Sequence, residues 1–211
     1  MVRSLKFAVA AVAVASVAAL GVASISGADS TEFHCSVEPC RITVKPDGTG
    51  KTAHQVISLW GEAGGSFSTT CGTITGEATA ATKSFSEIRV GNIVGTECAV
   101  NGSPTALKMN GCEYLIKSAG TLTIQCPTGK EIEEGIPNCL YSIPPQGPLS
   151  GLSFHNVGPG EVTVETHISS ILAKVTGCGL SGTVRAEFTT GNTLWTAETD
   201  PGGVKSSLSF E

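Results

Sequence analysis

Apolar residues recur at every second position through much of this chain. In Glu161-Val-Thr-Val-Glu-Thr-His-Ile168, Val162, Val164, Thr166 and Ile168 fall on one face, and Thr163, Glu165 and His167 on the other. A period of two is that of a half-buried β-strand, because successive side chains of an extended backbone point to opposite sides. Ile42 with Val44, Leu107 with Met109, Leu122 with Ile124, and Ala173 with Val175 repeat it. Turn-forming residues interrupt the pattern at short intervals: Pro46-Asp-Gly48, Gly64-Gly65, Asn101-Gly102, Asn110-Gly111, Pro127-Thr-Gly129, Pro144-Pro145 and Gly158-Pro-Gly160. After residue 28 only Gly76 to Ser86, where alanines cluster, offers a helical alternative. The pattern predicts an all-β, antiparallel, sandwich-like domain.

Two segments suggest pseudo-symmetric halves. Cys40-Arg-Ile-Thr-Val-Lys-Pro46-Asp-Gly48 and Cys139-Leu-Tyr-Ser-Ile-Pro-Pro145-Gln-Gly147 share the order Cys, five residues, Pro, one residue, Gly. Each is followed by a Cys-Gly pair, Cys71-Gly72 and Cys178-Gly179. Chance coincidence of abundant Cys, Pro and Gly is the alternative.

The first residues read as an export signal. Arg3 and Lys6 precede an apolar run from Phe7 to Ala23, and Ser26-Gly27-Ala28 offers the small residues that a signal peptidase selects. Cleavage after Ala28 leaves residues 29–211 as a single domain, with an uncleaved anchor as the alternative. Losing Arg3 and Lys6 takes the 13 basic residues to 11 against 18 acidic, a formal charge of −7. Such a balance repels nucleic acid and anionic lipid, so neither is an expected partner. The expected location is outside the cell.

All eight cysteines, 35, 40, 71, 98, 112, 126, 139 and 178, follow that leader, and none form a Cys-x-x-Cys pair. Redox dithiols and thiolate zinc sites usually bring two cysteines closer together, so four structural disulfides are expected, with no metal and no cofactor. Strand geometry suggests Cys35 with Cys40, Cys98 with Cys112, and Cys126 with Cys139. Cys71 and Cys178 hold corresponding places in the two halves and form the fourth expected pair.

Candidate sites each have a plainer structural reading. Gly48-Thr-Gly50-Lys51-Thr52 resembles the tail of a phosphate-binding loop, but Lys45 stands where the pattern needs glycine and a strand-like His54 to Trp60 follows, so a turn is expected. Gly151-Leu-Ser153-Phe-His155 is one residue short of a nucleophile elbow, with His155 replacing the closing glycine and His54 or His167 as the candidate base. Glu165 with His167, and Glu131 with Glu133, are i, i+2 polar pairs suited to acid–base work, and equally to the solvent face of a strand. His34, beside Cys35, has no expected role. Trp60, Trp195, Tyr114 and Tyr141 are few for sugar-stacking platforms, and strand positions favour burial of both tryptophans. No catalytic residue is assigned.

Met109-Asn-Gly-Cys112-Glu-Tyr114, Leu122-Thr-Ile-Gln-Cys126-Pro-Thr-Gly-Lys130, Cys139 with Ile143-Pro-Pro-Gln146, and Gly151 with Phe154 and Asn156 together carry a resemblance. They resemble a family of exported, cysteine-rich all-β bacterial proteins with no assigned activity. The likeness extends back through Cys71 and Cys98 and forward to Cys178; Cys35 and Cys40 look like an addition. It implies an extracellular β fold and transfers no catalytic residue. The expected role is a secreted, non-catalytic module, structural or binding, with a protein, envelope or polymer partner. The alternatives are an extracellular hydrolase, and a protease inhibitor presenting Ile136-Pro137 on a loop clamped between Cys126 and Cys139.

Overall fold

The computed structural model describes residues 31–46, 55–60, 66–177, 180–198 and 206–211. The leader, the Gly48–Thr52 segment, His54 and Cys178 lie outside the described residues.

Among the described residues eighteen strands run in chain order: β1 (Phe33–Cys35), β2 (Cys40–Pro46), β3 (Gln55–Trp60), β4 (Ser66–Cys71), β5 (Thr73–Ala80), β6 (Ser84–Phe85), β7 (Glu87–Thr96), β8 (Ala99–Val100) and β9 (Ser103–Pro104). There follow β10 (Glu113–Lys117), β11 (Thr121–Gln125), β12 (Ile132–Ile136), β13 (Cys139–Ile143), β14 (Gln146–Ser150), β15 (Leu152–Gly158), β16 (Glu161–Gly177), β17 (Leu180–Ala197) and β18 (Leu208–Phe210). Every pairing is antiparallel, and no helix occurs among the described residues. The Ala-rich segment from Gly76 belongs to β5. Its small residues Gly76, Ala78 and Ala80 alternate inward between Glu77 and Thr79, since a side chain at Gly76 would meet Val90 at 2.9 Å. Pairing with β2 and β7 overrides the helical preference of alanine.

The large sheet curls until its ends meet. β2 pairs β5, then β7, β10, β11 and β14 follow in sequence order. β14 runs into β15 through the single residue Gly151, and this continuous strand bonds β11 with its first half and β16 with its second. β16 pairs β17, and β17 returns to β2, with Trp195 opposite Val44. The result is an eight-stranded meander barrel without free edges, which removes a route to edge-to-edge aggregation. Gly151 forms the corner, at φ +128°, its N–H donating to the Gly120 carbonyl at 3.2 Å and its carbonyl accepting from His167 N at 2.7 Å.

The far halves of β16 and β17 continue into a second ring. β17 pairs β3, followed by β4, β8 and β9. Lys108 then bridges to Glu133 of β12, β12 pairs β13, and β13 returns to β16. The two Cys-initiated segments open one strand in each ring: β2 beside β17 and β13 beside β16.

The barrel interior is a packed core. All eight strands line it, Val44, Ile74, Tyr114, Leu152, Phe188 and Trp195 among them, around a cavity of ≈60 Å³. A three-stranded sheet of β18, β1 and β6 packs against it. There Phe33, wholly buried, stacks on Phe85 and Trp195 and meets Phe154 edge-on at 4.9 Å between ring centroids. Outward barrel positions carry Arg41, Glu77, Arg89, Lys117 and Glu165, the reverse of the apolar-out pattern of a membrane barrel. No described helix is long and apolar enough to cross a membrane.

Three disulfides join described cysteines: Cys35–Cys40, Cys71–Cys98 and Cys112–Cys126. The expected pairs Cys98–Cys112, Cys126–Cys139 and Cys71–Cys178 are therefore corrected. Thr70 faces Ala99, and Glu113 faces Gln125. One step along each ladder puts Cys71 opposite Cys98, and Cys112 opposite Cys126. Cys139 is also disulfide-bonded.

Candidate functional site

In β12, alternation puts Ile132, Glu134 and Ile136 toward the core and Glu133 away from it. A carboxyl group thus occupies a position that the strand reserves for an apolar side chain, and Glu134 is only 1% exposed. Tyr141, opposite Glu134 in the β12–β13 ladder, donates its hydroxyl proton to Glu134 Oε2. The Tyr141 oxygen in turn lies 2.8 Å from Thr69 Oγ1 of β4, closing a chain from Thr69 through Tyr141 to Glu134. Glu134 Oε1 has no hydrogen-bond partner among the described residues. A Glu134 oxygen and the sulfurs of Cys71 and Cys98 all lie within 4.8 Å of one another.

Burial raises the Glu134 pKa, and the hydroxyls of Tyr141 and Thr69 offset this only in part. Burial also raises Tyr141, reinforced by the neighbouring Glu134 charge, and Tyr114 is raised by burial alone. Burial thus shifts Glu134 toward its neutral acid form. Thiolates, not disulfide sulfurs, ligate metals, so the cluster as bonded is not a metal centre.

A carboxyl whose pKa is raised by folding contributes its full stability below its ordinary range, and that contribution is lost as pH rises through the folded value. Each unit of the raise corresponds to about 1.4 kcal/mol. Glu134→Gln is therefore expected to flatten this part of the stability–pH curve and to gain on the wild type toward alkaline pH. Urea unfolding of both proteins between pH 4 and 9 checks this; a difference that stays constant with pH would contradict it.

The predicted site residues lie elsewhere. Ser153 and His155 flank the buried Phe154 on an ordinary extended strand, with Ser153 opposite Glu165 and His155 opposite Thr163. Gly151 of the apparent elbow serves the barrel corner instead. His167, exposed on the same outer face as Glu165, contacts Glu187 at 3.2 Å. Glu131 accepts from Lys174 and Ser142, which hold its pKa low, while the Glu133 backbone bonds Lys108. His34 bonds Ser84 at 2.9 Å. Trp195 and Tyr141 are buried, so neither offers a stacking platform. Pro137 and Asn138 form the β12–β13 turn, and the bond from Cys126 to Cys112 removes the expected clamp around Ile136-Pro137. Glu134 itself was legible: Ile132-Glu-Glu-Gly-Ile136 alternates, with Glu134 in phase with both isoleucines.

A polar groove of ≈370 Å³ lies on the outer wall between β2 and β5, lined by Arg41, Glu77, Thr79 and Glu198. Glu198 accepts from Thr43 at 2.6 Å and Glu77 from Asn92 at 2.8 Å, which orients both carboxylates. The chain matches no protein-family model, no curated protein and no solved structure.

Proposed function

We propose that this chain is an exported, non-catalytic module that acts by contact, as a structural or binding element toward a protein, envelope or polymer partner. The observation that supports the reading is the barrel interior, filled from all eight strands by side chains such as Tyr114, Phe188 and Trp195. Disulfides fit an oxidising compartment, and the basic, apolar first residues supply an export route. The resemblance to exported, cysteine-rich bacterial proteins supports the same location. The groove around Arg41, Glu77 and Glu198 is the contact face this reading favours, because its charges are oriented and open to solvent.

The competing hydrolase reading rests on Ser153, His155, Glu165 and His167, which share one outer strand face. Assays of the exported protein with chromogenic ester, glycoside and peptide substrates are expected to give no turnover above the buffer blank. Turnover that Ser153→Ala or His155→Ala abolishes would replace the contact reading with the catalytic one.

A further inference from the structure

We propose that the outer groove between β2 and β5 seats one lysine residue of a partner polypeptide, its ammonium between Glu77 and Glu198 and its main-chain carbonyl on Arg41. This rests on the contact reading and names what the contact face takes.

The strand register builds the site. Thr43 of β2 faces Glu77 of β5 on one side and Thr196 of β17 on the other. Arg41, two residues earlier, faces Thr79, and its carbonyl accepts from Glu198 N at 2.8 Å. One outer face therefore carries Glu198, Arg41 and Thr79 in one row and Thr196, Thr43 and Glu77 in the next. Opposite charges on adjoining strands attract across such a ladder. Here they stay apart: Glu198 takes the Thr43 hydroxyl at 2.6 Å and Glu77 the Asn92 amide at 2.8 Å, and Arg41 forms no ion pair among the described residues. The neighbouring β7–β10 ladder, by contrast, pairs Arg89 with Glu113 at 3.0 Å and Lys117 with Glu87 at 3.5 Å. The three separated charges border ≈370 Å³ of open groove, within the size range of small-ligand pockets. Pro39, from the loop that the Cys35–Cys40 disulfide cross-links, borders it too, so part of the site is held in place before anything binds.

The charge count selects the occupant. Two carboxylates against one guanidinium leave an excess of negative charge, and the chain as a whole is acidic, which steers a cation toward the groove. An ammonium suits carboxylates carried by different strands, since its three donors rotate freely, whereas a guanidinium fork matches one carboxylate at a time. Arg41 in turn needs an acceptor beside that cation. A lysine residue within a chain supplies both, through its side chain and its main-chain carbonyl.

The test is an amide NMR titration of the exported protein with acetyl-Gly-Gly-Lys-Gly-Gly-amide, taken to millimolar peptide. Saturable shifts are expected at Arg41, Glu77, Thr79 and Glu198, and none with the peptide that has glutamate in place of lysine. Glu77→Gln and Glu198→Gln should each weaken binding at least fivefold, and Glu165→Gln, on the outer face of β16, less than twofold; the amide spectra report the folding of each variant. No saturable shift, equal losses in Glu165→Gln and Glu77→Gln, or tighter binding of a glucosamine oligomer than of the peptide overturns the proposal. Shifts confined to another face also overturn it and leave the contact reading standing, which falls only on turnover in the hydrolase assays.

Discussion

Replacing both members of Cys71–Cys98 by alanine is expected to lower the free energy of unfolding by about 3.5 kcal/mol, against about 3 for Cys112–Cys126 and about 2 for Cys35–Cys40. The order follows the sequence separations of 27, 14 and 5, because a cross-link removes more entropy from the unfolded chain when it closes a longer loop. The Cys71–Cys98 bond also holds two excursions together. β4 belongs to the second ring and enters the barrel as β5 immediately after Cys71, while Cys98 lies between β7 of the barrel and β8 of the second ring. Cutting this link releases the junction of the two rings at both crossings. Urea unfolding of the three double variants gives the ranking; equal losses, or the largest loss at Cys35–Cys40, would contradict it. Peptide mapping of the same samples is expected to link Cys139 to Cys178, since the other six cysteines are paired with one another and Cys139 faces Gly177 across the β13–β16 ladder.

Phe33→Ala is expected to cost about 3–5 kcal/mol, the range for deleting a fully buried aromatic ring. Phe33 is the only ring in contact with all of Phe85, Phe154, Trp195 and Phe210 among the described aromatic pairs. It comes from β1, whose three residues pair with β18 on one side and β6 on the other. Strands that short hold position through the side chain they bury more than through their ladder bonds. The cavity would lie between the terminal sheet and the barrel, where Glu32 and Glu211 bond backbone to backbone at 2.7 and 3.0 Å. Denaturant unfolding measures the loss, and limited proteolysis should show earlier cleavage near the two ends. A loss below about 1 kcal/mol would mean that the terminal sheet does not seal the barrel.

Individual strands were readable from the chain because inward and outward positions differ in chemistry. Val162, Val164, Thr166 and Ile168 are buried and Glu165 and His167 exposed, as their alternation dictates, whereas Thr163, expected on the outer face, is also buried. The cysteine pairing was not readable in the same way. Cys98 lies between Cys71 and Cys112 in sequence, and only strand partnership decides which it meets: the hairpin β10–β11 brings Cys112 to Cys126, which leaves Cys98 for β4. The acid cluster divides likewise. Glu134 could be placed on the inner face from Ile132 and Ile136, but Thr69 and the Cys71–Cys98 sulfurs reach it from 65 to 36 residues earlier in the chain.

The sequence alone determined the secondary-structure class and, in the clearly alternating segments, which apolar positions face the core. These depend on neighbours two residues apart and on composition, which a linear chain carries in full. The tertiary structure alone decided that the sheet closes into a barrel through Gly151, that a second ring shares its β16–β17 hairpin, and that a lone carboxyl rests against a disulfide. Those outcomes depend on which strands become neighbours, and any alternating strand can pair with any other until loop lengths, glycine corners and packed side chains select one arrangement.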